Sequence, residues 1–476
     1  MKSFLFFDFE TDGKGFASCR PVQFAAIRTD LALNPIGEPT MLFMRPPIDR
    51  LPSPHAIAVH KKAPWEQEAG LPEGAFARAI QALVEEPGTI CVAHNGHSFD
   101  YKVLQHLLYR NILPPYDWMH SAGRSRFDTL PLLRGVHAFS PGAMPFAARE
   151  DGGVSYKLDL TAAANGIDAS SAHDALADVK TMISLFERAR SAAPAVTKHY
   201  FSLRFKSNVD EVLQEAMFWL LLPTNPAAQK CASLYTRLGV TDRSEVVLWD
   251  LRVNPRVFID VTPEELVLRQ FSKDDALLEM GAVRPGLQPI RANQAPFVAP
   301  VDMAHSVLWD DAELNATDVD RNLAWLSDHQ RLTESWVEAY QSRKNAFTAE
   351  NEDVEEQLFG DLILGPDEGR LRRLRQRLAR DGSLGEPVDV RKMHFDDGRL
   401  SEICFRFIAR NYPHRLTAKG KQYWELFVSR RLQEDAPRFL TDLKEAREAQ
   451  PEMSQTWDRV HEWAHAHMNE HNVSWP

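Results

Sequence analysis

Four acidic residues and one histidine near the start of the chain have the types and spacing for hydrolysis assisted by a divalent metal: Asp8 with Glu10, then Asp100, then His173 with Asp178. Asp8 and Glu10 close Phe4-Leu-Phe-Phe-Asp-Phe-Glu-Thr11, a short apolar run that reads as a buried strand. Residues i and i+2 of a strand share a face, so both carboxylates aim at one spot. Like charges that close raise each other's pKa unless a cation holds them, and hard oxygen donors suit Mg²⁺ or Mn²⁺. A strand end entering solvent is the competing reading of Asp-x-Glu alone. Asp100 ends His94-Asn-Gly-His-Ser-Phe-Asp100, where a loop becomes a helix. There the helix dipole also favours an acid, by about 0.3–1 kcal/mol. In Ser171-Ala-His-Asp-Ala-Leu-Ala-Asp178 the five-residue separation corresponds to about 140° of helix rotation. His173 therefore belongs on the entering loop and Asp178 one turn inside, with Asp174 as cap or first-turn acid.

The elements that must position these groups follow from the apolar pattern. Gln23–Thr29 and Met41–Met44 read as second and third strands of an antiparallel meander. Glu73–Glu85 has helical spacing, Thr89–Ala93 is a fourth buried strand, and the segment after Asp100 is a helix. Residues 192–194 read as a linker. Ser244–Asp250 and Val257–Val261 read as strands about an Asn254-Pro255 turn, and 285–300 as proline-rich and irregular. From Asp318 the pattern is helical. Arg370–Arg380 makes an amphipathic helix with Leu371, Leu374 and Leu378 as its apolar stripe, followed by helices near 400–410, 420–432, 438–448 and 453–469.

The 476 residues are long for one core, and 44% hydrophobic with 25% charged residues is a globular composition. No apolar run is long enough to span a bilayer and no charged-then-apolar leader opens the chain, so a cytoplasmic protein without membrane contact is expected. The four cysteines are scattered, as reduced buried residues are. A net charge of −11 excludes a protein coated in positive charge but not a local basic track for nucleic acid. Lys198, Arg204 and Lys206 among Tyr200, Phe201 and Phe205 are such a track, or else an amphipathic face with snorkelling cations.

The order Asp-x-Glu, Asp after an Asn-bearing turn, and His-x4-Asp on a late helix resembles the DEDDh family of 3′–5′ exonucleases. Within it the chain is most similar to the bacterial exodeoxyribonuclease I branch. Arg20-Pro-Val-Gln-Phe-Ala-Ala-Ile-Arg-Thr-Asp30, Tyr109-Arg-Asn111, Ser125-Arg-Phe-Asp128, Ala164-Asn-Gly-Ile167 and Ala409-Arg-Asn-Tyr-Pro413 carry that similarity. Two positions depart: Phe7 stands where relatives have a polar His, and no second Asp follows Asp100.

The resemblance implies an α+β multi-domain protein. An RNase H-like α/β exonuclease core with a mixed sheet (1–193) precedes an SH3-like β-barrel domain (194–345) and a C-terminal helical domain (346–476), the later parts arching over the nuclease cleft. It implies 3′→5′ degradation of single-stranded DNA to 5′-mononucleotides in DNA repair by a monomer, with an RNA-directed exonuclease or a non-catalytic single-strand clamp as alternatives. Asp8, Glu10, Asp100 and Asp178 would hold two Mg²⁺ ions, with Mn²⁺ as substitute, and His173 would take a proton from the attacking water. Phe9 and Thr11 flank the metal strand and are candidates, with Arg126, Lys198 and Arg204, to touch the substrate, although core packing suits Phe9 equally. Relatives also dock the acidic, Phe-ended tail of the single-stranded-DNA-binding protein. The candidate cations for that here are Arg370–Arg380, Arg410, Lys419, Lys421, Arg430 and Arg431, beside Tyr412, Tyr423 and Trp424.

Overall fold

The N-terminal aromatic run forms strand β1 (Ser3–Thr11), the middle strand of a mixed sheet in the computed structural model of the chain. Phe4, Leu5, Phe6 and Phe7 are all buried. A strand covered on both faces carries an unbroken apolar run rather than an alternating one. β2 (Pro21–Thr29) pairs antiparallel with β1, and β3 (Thr40–Phe43) antiparallel with β2, which is the expected meander. β4 (Thr89–Ala93) lies parallel to β1 on its other side. Parallel neighbours need a crossover, and helix Glu73–Val84 lies in that connection. The sheet order is β3-β2-β1-β4-β5, with β5 (Ser125–Asp128) at the edge.

The structure describes residues 2–150, 152–169, 174–222, 230–345, 353–360, 363, 365–381 and 385–475. These fall into two compact units, one built from 1–125, 170–180 and 351–476, the other from 126–169 and 181–350. Among the described residues no helix is long and apolar enough to cross a membrane. All four cysteines are buried and in the thiol form.

The first unit contains the beginning and the end of the chain. One apolar cluster gathers Phe7, Phe9, Phe24, Phe76, Leu104 and Trp118 under the sheet. Another joins Leu51, Ile57 and Tyr109 to the C-terminal helices. Leu371, Leu374 and Leu378 of helix Gly365–Asp381 are buried there, as their spacing predicts. The helices expected at 420–432 and 438–448 are instead one helix, Ala418–Ala449, which runs through Pro437. Phe427, Leu432, Phe439 and Leu443 are buried on both sides of that proline, so packing outweighs the missing N–H. Helix Glu73–Val84 meets helix Arg399–Asn411 at Gly74, whose N–H donates to Asn411 Oδ1 at 2.6 Å. A Cβ on Gly74 would lie 2.7 Å from that oxygen.

Beside this contact lies a buried ionic network. Arg20 Nη2 reaches Glu355 Oε2 at 2.6 Å, and Arg410 bridges Glu355 at 2.5 Å and Asp49 at 2.7 Å. Arg110 pairs with Glu73, which Arg20 also approaches at 3.7 Å. Three cations meet three anions. Burial alone would raise the acids, but the arginine charges override it, holding Asp49 down at about 2 and Glu355 well below its ordinary range.

The second unit has β structure of its own. β6 (Ala147–Ala148) and β7 (Val154–Ser155) form a small antiparallel ribbon. β8 (Phe218–Leu221), β9 (Ala232–Val240), β10 (Val246–Asp250), β11 (Leu287–Ile290) and β12 (Val298–Ala299) form an antiparallel sheet in the order β11-β10-β9-β8-β12. The strand expected at Val257–Val261 is absent: Asn254 caps a 3₁₀ turn, Pro255–Phe258, and Val257 and Ile259 are exposed. The stretch 285–300 contributes two strands rather than irregular chain. The linker at 192–194 is a break at Ala193, between a helix ending at Ala192 and one starting at Pro194.

Candidate metal centre

β1 and β4 are paired from Ser3 to Phe6, and beyond that register the backbone of β1 is available to the loop that follows β4. Phe9 N–H donates to Asp100 Oδ1 at 3.3 Å, so the third carboxylate docks on the amide between the first two. Asp100 is 4% exposed and opens helix Asp100–Arg110. The turn that delivers it is tight: Asn95 has a φ of 62°, and a Cβ on Gly96 would come within 2.7 Å of the Tyr101 ring and 2.8 Å of Ala93. Tyr101 secures the turn, its hydroxyl accepting from Ala93 N–H at 3.1 Å and donating to the Cys91 carbonyl at 3.3 Å.

Asp178 comes from the first turn of helix Ala175–Ala192. Asp174 caps it, its Oδ1 accepting from Leu176 and Ala177 N–H at 3.2 and 3.3 Å. Gln23 on β2 donates to Asp174 Oδ2 at 3.5 Å and Lys62 Nζ reaches the same oxygen at 3.1 Å. Asp8, Glu10 and Asp178 each place a carboxylate oxygen within 4.8 Å of the other two.

The electrostatics fit a cation. Burial, then the charges of Asp100, Glu10 and Asp178, hold Asp8 well above the usual carboxylate range. Burial and Asp178 push Glu10 up to about 8, and Lys62 pulls the other way. Asp8, Glu10 and Asp178 are only half-buried, so an ion from solvent can reach them. Hard oxygen donors that crowded protonate when alone and ionise around a divalent ion.

The structure thus brings together Asp8, Glu10, Asp100 and Asp178. His173 lies outside the described residues. The ring of Phe9 is buried against Phe24, centroids 5.0 Å apart, and Phe7 at 5.8 Å. Thr11 Oγ1 donates to the Gly13 carbonyl at 2.8 Å, just past the register shift that ends regular pairing with β2. Arg126, Lys198 and Arg204 belong to the second unit. Arg126 donates to the Asn293 carbonyl at 2.7 Å, and Lys198 is exposed. Arg204 stacks over Phe201 and Phe205 at 3.7 and 4.3 Å, and burial lowers its pKa to about 10. Arg410, a candidate for binding an acidic tail, is corrected: it is 6% exposed and committed to Asp49 and Glu355. Sequence reasoning missed Lys62, which follows a short helix, Pro54–His60, and has no motif around it.

Residues 5–186 match a family model described as "Exonuclease", 204–342 the "Exonuclease I SH3-like domain" and 352–467 the "Exonuclease I C-terminal domain". The chain is 28% identical over 453 residues to exodeoxyribonuclease I of Haemophilus influenzae, covering 93% of each protein. Among solved structures it is similar to the moderately thermophilic exonuclease I of Methylocaldum szegediense, 30% identical with a TM-score of 0.89 over 98% of this chain and 100% of that one. It is also similar to E. coli exonuclease I in complex with a dA16 oligonucleotide, 25% identical with a TM-score of 0.90 over 98% and 100%. A further similar structure is of SSB/exonuclease I with an inhibitor, 25% identical with a TM-score of 0.86 over 98% and 99%.

Proposed function

The chain belongs to the bacterial exonuclease I family, and on that premise we propose that it shortens single-stranded DNA from its 3′ end, releasing 5′-mononucleotides. The observation that carries this reading is the convergence of Asp8, Glu10 and Asp178, from two distant segments, with Asp100 docked between the first two on the Phe9 amide. We assign Mg²⁺, with Mn²⁺ as substitute, to these carboxylates, where a pair of ions would supply charge neutralisation at the scissile phosphate and a more acidic water.

The chain's own residues do the rest. Asp100 is held by a backbone N–H and keeps the strand and the α-helical arm in register. Asp174, fixed by Lys62 and Gln23, sets the start of the helix that presents Asp178. His173 stands one residue before Asp174, and an imidazole is the side chain suited to accepting a proton at neutral pH. Arg204 between its two aromatic rings is the best placed of the proposed substrate contacts in the second unit, because bases stack on such platforms.

Similarity to an SSB/exonuclease I structure supports the single-stranded-DNA-binding protein as a partner. The test of function is incubation with end-labelled single-stranded DNA, duplex DNA and single-stranded RNA, each with Mg²⁺, Mn²⁺ or a chelator, and products resolved by length. Stepwise loss from the 3′ end of single-stranded DNA alone is expected. Equal or faster loss from RNA would move the assignment to a ribonuclease, and binding without shortening would leave only a clamp.

A further inference from the structure

The last helix, Ser454–Glu470, carries four histidines in eleven residues when its C-cap is included: His461, His465, His467 and His471. Two of them part from the others. His461 and His465 pack edge-on against Trp475 at 4.9 and 5.2 Å. His467 and His471 instead converge with Glu470, each offering one donor atom within 4.8 Å of the other two. They stand at i, i+3 and i+4, the spacing at which helical side chains share a face, and a His pair at i, i+4 is a recurrent way of holding zinc on a helix.

The surroundings of His467 match what a ligand needs. Its Nε2 lies 3.0 Å from the Ile48 carbonyl oxygen, which can only accept, so that nitrogen carries the proton. The neutral ring therefore has its lone pair on Nδ1. Metal-binding histidines characteristically donate their other ring N–H to a carbonyl or carboxylate in this way, which fixes both tautomer and orientation. The ring is 9% exposed and stacked on Trp463 at 4.8 Å, so its rotamer is held before any ion arrives. His471 meets it edge-on at 5.0 Å and is half-buried, while Glu470 is exposed and leaves the site open to solvent. The site also sits at the negative end of a 17-residue helix, which favours a cation.

We propose that His467, Glu470 and His471 form a second metal site, separate from the carboxylate centre and selective for a divalent transition ion of the zinc or nickel kind. Two imidazoles and one carboxylate suit such ions, whereas Mg²⁺ prefers an all-oxygen shell. The open fourth position takes water, as tetrahedral zinc allows. Because His467 is bonded to Ile48, an ion here ties the end of the last helix to the segment carrying Asp49, and so to the ionic network around Arg410. Its role is structural.

The experiment is calorimetric titration of the metal-stripped full chain with Zn²⁺ against a constant large excess of Mg²⁺, which occupies the carboxylate centre. One saturable site is expected in the wild type, accompanied by a rise in melting temperature. His471→Ala is expected to weaken that site at least tenfold, and Glu470→Gln to weaken it less. Both variants keep the buried His467 and so keep the fold, which circular dichroism checks. Zn²⁺ binding that is undiminished in His471→Ala, or absent from the wild type, would overturn the proposal.

Discussion

At the scale of single residues, the carboxylate centre makes the protein without metal sensitive to rising pH. Glu10 has its pKa raised to about 8 in the folded chain by burial and Asp178, against an ordinary value near 4.3. The native state therefore binds more protons than the unfolded one across that interval, and stability without metal falls as pH rises from about 4 to 8. Thermal melts in chelator across this window are expected to show that slope in wild type. Glu10→Gln should flatten it while abolishing turnover. Lys62→Met makes a second case. The Lys62 charge lowers the Glu10 pKa, so its removal should raise the pH needed for half-maximal Mg²⁺-dependent activity; an unmoved profile would show that Lys62 does not act on the centre. His173→Ala should reduce kcat by roughly 10²–10⁴ with little change in single-strand binding, as loss of a general base does. The four carboxylates were legible from sequence because strand parity and a helix start fix where such side chains point. Lys62 was not, since its approach to Asp174 spans 112 residues and depends on how a loop packs.

Elements show a different balance between local and distant causes. β1, β4 and the helix at Asp100 could be read from apolar runs and their punctuation, and the turn between the last two is where local sequence does most for function. Gly96→Ala should force the turn against Tyr101 and displace Asp100, removing most activity from a protein that still folds. Tyr101→Phe, which loses two hydrogen bonds but no volume, should be milder, and the ratio of the two rates measures how much of the effect is steric. Where reading failed, a local signal had been outvoted or misjudged. Val257 and Ile259 look like strand residues, yet Pro255 behind a capping Asn254 closes a 3₁₀ turn and leaves both in solvent. Pro437 looks like the end of a helix, yet helix Ala418–Ala449 continues through it because apolar residues on either side are buried together. Sequence periodicity carries no term for such tertiary burial.

Across the whole molecule, the feature that no local reading could show is that the two ends of the chain share one unit. Arg410 looks like a surface cation in a helical, basic region, but it is buried between Asp49 and Glu355. Removing one member of a buried ion network typically costs about 3–5 kcal/mol, because its partners stay charged and dry. Arg410→Met should therefore lower the urea midpoint by that equivalent. The network also predicts acid lability. Asp49, held at about 2 in the folded state, contributes stability that is complete above its unfolded value near 3.9 and is lost as pH falls toward 2. Melting temperatures between pH 5 and 2 should fall in wild type and less steeply in Arg410→Met. This arrangement also imposes an order on birth. Arg20 and Arg110 leave the ribosome with only Glu73 and Asp49 to answer them, and Glu355 and Arg410 follow much later. At roughly 5–20 residues per second, the 390 residues from Arg20 to Arg410 take on the order of 20–80 s to synthesise. Arg20 also holds Asp12, just beyond the metal strand, through its backbone N–H at 2.6 Å. A nascent chain thus carries its full set of cutting residues, complete only at Asp178, through the 232 further residues to Arg410, roughly 10–50 s, before the charges beside them are matched, so an enzyme that destroys DNA has its cutting residues well before it has its mature fold.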